Sequence, residues 1–537
     1  MSERTRERVV VVGFGPVAAR LVEELLPAVR AGRLEVLVLG EETEPAYNRV
    51  LVADLAVGRT TREALALADP GDLAADGVRV LLGTRAVAVD RAGRQVVLAD
   101  GRTARYDRLV LATGADAAIP PLAGLDPAGR RLPAGVTTLR DLNDADRLRA
   151  AVDAGREIVV LGGGVLGLEV ALAAAEEGAR VRVVHHGPRP MARNLDAGAG
   201  HVLTATLRTQ GITVHPAATA IGVATAPGPG GVPAFRALCL DDGTEVPGDL
   251  LVLSCGVRPR VELARTCALP VGKGVLVDHH LRADGEGRVF AIGDCAEVLC
   301  GRCPDCEGRE GRGPSGLIGP GWRQAEWLAA VLAGDPHGAD PGDLTEPAVP
   351  AAPVGSPLGA ELPGTILLKA RSLDLAAAGR VAPEPWDEPE EGDGLPLRVA
   401  QWSDPEHGRY VKMVTRGGVL EGLACVGMPR TAAELVLLYE RGDELPADRT
   451  SLFRLDAAGE PAPAPASPSA TVCRCSGATL GSIDDAVAGG CATVAEVGRA
   501  TRAGTGCGGC HDTIRRRLAA HAAGADDNRA AAAAAAR

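Results

Sequence analysis

Blocks of apolar residues recur along this chain, and each is followed by a glycine-marked turn or by a run with helical spacing. "RVVVVGFGPVAARLVEELL", from residue 8, predicts a strand, a turn with Gly13-x-Gly15-x-x-Ala18, and a helix. "LEVLVLG" predicts a second strand, which ends at Glu41. The pattern then repeats: "REIVVLGGGVLGLEVALAAAEEGARVRVVHH" predicts a strand, a turn with Gly162-x-Gly164-x-x-Gly167, a helix and a closing strand. "YDRLVLATGA" and "RVFAIGDCAEV" are apolar strands ending in Thr113-Gly114 and Gly293-Asp294. Further on, "GRYVKMVTRGGVLEGLACVGMPRTAAELVLLYERGDELP" predicts strand, Gly-Gly turn, strand and helix.

A glycine turn between a strand and a helix lets backbone amides approach a pyrophosphate, and the helix N-terminus favours its negative charge. One such turn can be an ordinary tight connection; two in one chain imply two dinucleotides. An acid at the end of the second strand can accept hydrogen bonds from ribose hydroxyls, and Glu41 is placed for this, with Glu42 beside it.

Composition narrows the class. The 537 residues suffice for roughly three or four domains at about 150 each. Hydrophobic residues are 46% and aromatics 2%, so the core is built mainly from Ala, Val and Leu. A net charge of −12 with no long basic stretch argues against nucleic-acid binding. No apolar run reaches the roughly 18 residues of a membrane span. The start, "MSERTRERVVVVGFG", does not read as a signal peptide, so the expectation is a cytoplasmic protein. Its thirteen cysteines then point to metal or redox use rather than a disulfide framework.

Taken in order, these five motifs resemble the two-dinucleotide-domain flavoprotein reductases of the pyridine nucleotide-disulfide oxidoreductase type, over about residues 7–332. The resemblance implies an α/β fold with two Rossmann-like domains, FAD on the first and NADH or NADPH on the second. It implies FAD contacts from Gly13, Gly15, Ala18, Glu41, Arg49, Thr113, Gly114, Gly293 and Asp294, with Asp294 along the ribityl chain. Gly162, Gly164, Gly167 and Glu169 would belong to the NAD(P)H site. The FAD domain would be split, 7–145 and 271–335, around an NAD(P)H domain at 146–270. An acid at position 185 would grip a ribose 2′-OH; His185 and His186 are not acids, and Arg189 could face a 2′-phosphate, which permits NADPH without requiring it. The bland reading of both histidines is a loop surface. No CxxC occurs between residues 7 and 270, where Cys239, Cys255 and Cys267 read as core singletons.

"GEETEPAYNRVLVADLAVG", with "VLSCGVRPRVELARTCALPVGKGVLVD" and "AIGDCAEV", is similar to the electron-transfer subunit of bacterial assimilatory nitrate reductases and equally to the N-terminal half of the assimilatory nitrite reductase large subunit. The resemblance implies a small α/β domain at 360–455. The four-cysteine set of a sirohaem domain does not occur in this sequence, so the expectation is a reductase that delivers electrons elsewhere. The acceptor implied is a molybdenum-containing nitrate reductase subunit; the alternatives are a nitrite reductase component, a reductase of another small redox protein, and a non-catalytic redox sensor.

"PAPAPASPSA" closes a Pro/Ala linker, 456–470. After it, Cys473-x-Cys475 and Cys507-x-x-Cys510 are separated by thirty-one residues. Two close pairs suit a [2Fe–2S] cluster or zinc, and a CxxC alone also suits a redox disulfide. The segment 471–522 looks like the bacterioferritin-associated-ferredoxin-like [2Fe–2S] domain, which is short and helical. Cys491 falls outside both pairs and reads as a core residue. A second set, Cys295, Cys300, Cys303 and Cys306, has spacing that can supply thiolates to zinc or a further iron–sulfur cluster. The Ala-rich tail, 523–537, is expected to be disordered.

Overall fold

The apolar runs become the strands of two five-stranded parallel sheets in the computed structural model, which describes residues 6–126, 132–228, 232–299, 314, 316–334, 364–387, 395–456, 467–473, 476–506, 508–511 and 513–521. In space the first sheet runs Val289–Ala291, Arg108–Leu111, Glu7–Val12, Leu34–Leu39, Arg79–Leu81. Parallel sheets are covered on both faces, which is why their strands read as unbroken apolar runs rather than alternating ones. Val9, Val10 and Val11 accordingly have no solvent exposure. One face is closed by the helices Pro16–Arg30 and Ile318–Ala333, which pack on each other and are tied by an Arg20–Glu326 ion pair.

The second sheet runs Thr213–His215, Arg180–Val184, Glu157–Leu161, Leu250–Leu253, Val136–Thr138. The edge strand Val136–Thr138, which the sequence reading left with the first unit, pairs here with Leu250–Leu253. Three residues with no periodicity of their own carry no mark of the sheet they join.

Residues 364–456 form a five-stranded antiparallel sheet with the helix Pro429–Arg441 on one face. Its alternation divides its contacts. Leu375 and Ala377 point to the second unit, sharing a core with Leu168 and Leu172, whereas Ala376 and Ala378 pack with Leu435 and Val436 of the helix. Gly417 and Gly418 close the central hairpin with φ of +58° and +89°, the pair of positive values a type I′ turn needs.

The C-terminal residues form a short hairpin, Thr471–Cys473 with Ala478–Thr479, and the helices Leu480–Ala488 and Val494–Thr501. Thr479 with Ser482, and Thr493 with Glu496, make capping boxes that satisfy the first amides of these helices. No helix among the described residues is long and apolar enough to cross a membrane.

Candidate active site

Both glycine turns lie at the carboxyl ends of their sheets, where open α/β folds bind ligands. Gly13 has φ +105°, and a Cβ there would lie 2.2 Å from the Ala112 carbonyl oxygen. Gly162 has φ +131°, and its Cβ would lie 2.1 Å from the Ser254 oxygen. These first glycines let neighbouring strands meet the turn. A Cβ on Gly167 would sit 2.4 Å from the Gly162 oxygen, so the helix packs directly onto its own turn. The first unit has Ala18 at the matching place, and its methyl is buried. Gly15 and Gly164 differ from these: both are helix N-caps in extended conformation, and a Cβ would meet nothing nearer than Arg49 Nε at 4.0 Å at the first and nothing within 4 Å at the second. The space in front of each helix N-terminus is the room an anion requires.

A cavity of about 1890 Å³ joins the two units. Gly13, Gly15, Ala18, Glu41, Arg49, Thr113, Gly114, Gly293 and Asp294 line it from the first, and Glu169 lines it from the second with Val165 and Leu166. The other residues read from sequence for the nicotinamide cofactor, Gly162, Gly164, Gly167, His185 and Arg189, lie outside this wall.

Several of the charges in the cavity are paired. Arg140 donates to Asp294 at 2.8 Å and to the Ala115 carbonyl at 3.1 Å. Arg49 pairs with Glu42, donates to the Arg140 carbonyl, and lies over the Tyr47 ring at 4.7 Å. Tyr47 also donates to Glu42 at 2.9 Å. Glu42 is therefore anchored on two sides, while Glu41, half exposed, makes longer ion pairs, to Arg85 at 3.4 Å and Arg260 at 3.5 Å. Arg140 and Arg260 belong to the site and were missed by sequence reading. Arg140 stands outside every motif and Arg260 lies inside a quoted segment without standing out in it, and their acid partners are 154 and 144 residues away.

His185 is not on a loop surface. Only 4% of it is exposed, and its ring lies under the glycine turn, where a Cβ on Gly163 would be 2.8 Å from its Cγ. Burial lowers its pKa, so the imidazole is neutral at pH 7, and its Nε2 has no hydrogen-bond partner among the described residues. Arg189 donates to the Leu195 carbonyl at 3.2 Å and lays its aliphatic stem along Gly200.

Cys295 lies in the core of the first unit with no exposure, its Sγ 3.3 Å from the carbonyl oxygens of Leu111 and Ile292. Burial raises the pKa of this thiol. Cys300, Cys303 and Cys306 lie outside the described residues, and among the described residues no cluster of three metal-ligating side chains occurs. Cys267 is buried as expected and Cys239 half-buried, but Cys255 is exposed in the turn after Leu250–Leu253. No cysteine lines the cavity among the described residues.

In the C-terminal unit Cys473 and Cys510 are buried together in one small core with Ile483, Val497 and Ile514, and Cys491 packs at its edge. Cys475 and Cys507 lie outside the described residues. Gly504 and Gly508 beside them have φ of +85° and +75°, so this loop turns tightly on glycine. The two glycine cradles with empty space before their helices fit dinucleotides. The convergence of one cysteine from each pair fits thiolate ligation.

Comparison with known proteins agrees with this geometry. Residues 7–314 match the family model described as pyridine nucleotide-disulphide oxidoreductase, and residues 471–520 match the BFD-like [2Fe–2S] binding domain. The chain is 28% identical over 526 residues to "Nitrite reductase [NAD(P)H]" of Bacillus subtilis, covering 97% of this chain and 58% of that protein. It is 26% identical to the "Assimilatory nitrate reductase electron transfer subunit" of the same organism, covering 96% and 59%. The chain thus spans a little over half the length of these curated relatives. It is 34% identical to the ferredoxin–NAD(+) reductase component of the biphenyl dioxygenase system of Paraburkholderia xenovorans, covering 54% of this chain and 67% of that one. The fold is shared with a crystal structure of the covalent putidaredoxin reductase–putidaredoxin complex at TM-score 0.66 and 23% identity, over 85% of this chain and 99% of that one. The chain belongs to the pyridine nucleotide-disulphide oxidoreductase family, as an FAD-dependent NAD(P)H oxidoreductase that carries a [2Fe–2S] domain at its C-terminal end.

Proposed function

We propose that this protein oxidises NAD(P)H in the cytoplasm and passes the electrons, through FAD and the [2Fe–2S] cluster, to a separate molybdenum-containing assimilatory nitrate reductase. FAD accepts the two electrons of a hydride and can release them singly, whereas a [2Fe–2S] cluster accepts one at a time. The observation that carries the reading is the position of the iron–sulfur domain: Gly508 approaches Leu51 so closely that a Cβ would lie 3.0 Å from its Cδ2, and the neighbouring Arg49 and Val50 line the flavin cavity. The choice of acceptor is supported by the similarity to the Bacillus subtilis nitrate reductase electron-transfer subunit.

In this reading the FAD domain comprises 7–135 and 271–335, the NAD(P)H domain 136–270 with Val136–Thr138 as its edge strand, and the iron–sulfur domain 471–522. Gly13 and Gly15 admit the FAD pyrophosphate, Glu41 its ribose, and Arg49, Thr113, Gly114, Gly293 and Asp294 the rest of the molecule. Gly162, Gly164 and Gly167 admit the nicotinamide dinucleotide, and Glu169 faces the shared cavity. Cys473, Cys475, Cys507 and Cys510 ligate the cluster.

The purified protein is expected to oxidise NAD(P)H rapidly with an artificial one-electron acceptor; no turnover would reject an enzymatic role. Iron analysis is expected to give about two irons per chain, as the [2Fe–2S] domain requires. A larger iron content, or zinc, would fill the 300–306 loop. Cys507→Ser is expected to leave flavin bleaching by NAD(P)H intact and to slow reduction of the natural acceptor by about 100-fold or more. Unchanged transfer would place the electron exit elsewhere.

A further inference from the structure

Asn48 lies in the segment that walls the flavin cavity and is 2% exposed. Its Nδ2 donates to the carbonyls of Thr505 at 2.8 Å and Gly506 at 2.5 Å, the two residues directly ahead of Cys507. Its Oδ1 accepts from the Val50 amide at 3.0 Å and so caps the turn Arg49–Leu51, whose first two residues line the cavity. Its backbone amide is held by the Leu65 carbonyl at 2.8 Å. Only this orientation of the side-chain amide gives donors to two carbonyls and an acceptor to an N–H, so the contact fixes the amide as well as the loop. Two further contacts flank it. Gly508 seats on Leu51, and Arg502 reaches Glu23 at 3.3 Å and Glu24 at 2.9 Å on the helix Pro16–Arg30. The Arg502 pairs are partly exposed and are worth little once screened by salt. The buried amide is the specific element of the interface.

We propose that Asn48 is the positioning residue that seats the loop of Cys507 on the flavin unit, and that this seating sets the rate of electron transfer into the iron–sulfur domain. The proposal rests on the electron-transfer reading above. For each NAD(P)H oxidised, a hydride is lost with two electrons, two one-electron acceptors are reduced, and one proton is released.

Asn48→Asp separates the two roles of the side chain. One carboxylate oxygen still accepts from Val50, so the turn before Arg49 keeps its cap. The other faces two carbonyl oxygens with no proton between them. In the full-length holoprotein, flavin bleaching by NADH in anaerobic stopped flow is expected within about twofold of wild type, since the cap is kept. Cluster reduction, followed by EPR on freeze-quenched samples, is expected to slow by about tenfold or more. Hydrogen–deuterium exchange should show lost protection in residues 48–51 and 502–511, a readout independent of turnover. Arg502→Glu, a surface change that opposes Glu23 and Glu24, should slow cluster reduction in the same direction at low ionic strength, and salt should relieve it; if Asn48→Asp does not fold, Asn48→Ser, which keeps a short oxygen for the Val50 amide and removes the amide donors, decides the matter by the same readouts. Wild-type cluster reduction and wild-type protection in Asn48→Asp would overturn the proposal, as would equal slowing of bleaching and cluster reduction, which would place Asn48 in the flavin site. If wild-type protein bleaches with NADH but its cluster stays oxidised, the electron-transfer reading fails, and the exchange measurement still decides whether Asn48 holds the loop.

Discussion

Replacing Lys412 with methionine is expected to destabilise the protein by about 3–5 kcal/mol, the usual cost of removing one partner from a buried ion pair. Lys412 has no solvent exposure, and its Nζ lies 3.3 Å from Asp196 Oδ2 and 3.2 Å from Glu384 Oε1. Asp196 belongs to the second parallel unit, where its side chain caps the helix Ala197–Thr209, while Lys412 lies on a central strand of the antiparallel sheet. The pair therefore crosses the contact between two units. Tyr410 donates to the same Asp196 oxygen at 2.5 Å. Burial and the carboxylate push the phenol's pKa up, so it remains a donor throughout the working pH range. Methionine fills the volume but leaves the Asp196 carboxylate buried without its cation, held only by the Tyr410 hydroxyl and the Ala199 amide among the described residues. Urea unfolding of the variant should show a lower midpoint at an unchanged slope. The double variant Lys412→Met, Asp196→Asn should recover part of the loss, because the two sites are coupled. An unchanged midpoint in the single variant would mean that the charges contribute nothing to holding the two units together.

The second large effect is functional. Gly164→Glu is expected to raise the NAD(P)H concentration needed for half-maximal flavin bleaching by about 100-fold, with flavin content and stability unchanged. Position 164 has φ −85° and ψ 177°, which any residue adopts, and nothing lies within 4 Å of a Cβ there. The new side chain therefore costs the fold little. It places a carboxylate where the pyrophosphate is expected, and that carboxylate occupies the helix N-terminus. Dithionite, which needs no nicotinamide site, should still bleach the flavin fully. Loss of FAD in this variant would mean that the two dinucleotide units had been exchanged in the assignment. Gly162→Ala, two residues earlier, is a different experiment: with φ +131° and the Ser254 oxygen 2.1 Å from a Cβ, it disturbs the sheet itself.

The contrast between these positions shows what could be read from the chain alone. Strands, glycine turns and cysteine pairs carry their signal within about twenty residues, because local geometry and close backbone approach dictate them. The strand Arg409–Arg416 could be read in this way, but the lysine in its middle breaks the apolar pattern and had no visible partner, since Asp196 lies 216 residues away. Asn48 stood beside Arg49 in a segment already singled out, yet its two acceptors are 457 and 458 residues further on. Arg140 and Asp294 are likewise 154 apart. His185 was identifiable as not an acid; that it lies beneath the glycine turn depends on how Gly163 meets the end of Arg180–Val184, which spacing does not encode.

The strand Val289–Ala291 occupies one edge of the first sheet, and its neighbour Arg108–Leu111 leaves the ribosome almost 180 residues earlier. At synthesis rates of about 5–20 residues per second, the nascent first unit waits roughly 10–35 s for that strand and roughly 10–45 s for the helix Ile318–Ala333. During that interval one edge of a parallel sheet and the outer side of Pro16–Arg30 stay uncovered, while the second unit, whose strands lie between residues 136 and 253, can already close. The first unit's period of greatest exposure to aggregation and to chaperones therefore falls while residues 112–333 are being made.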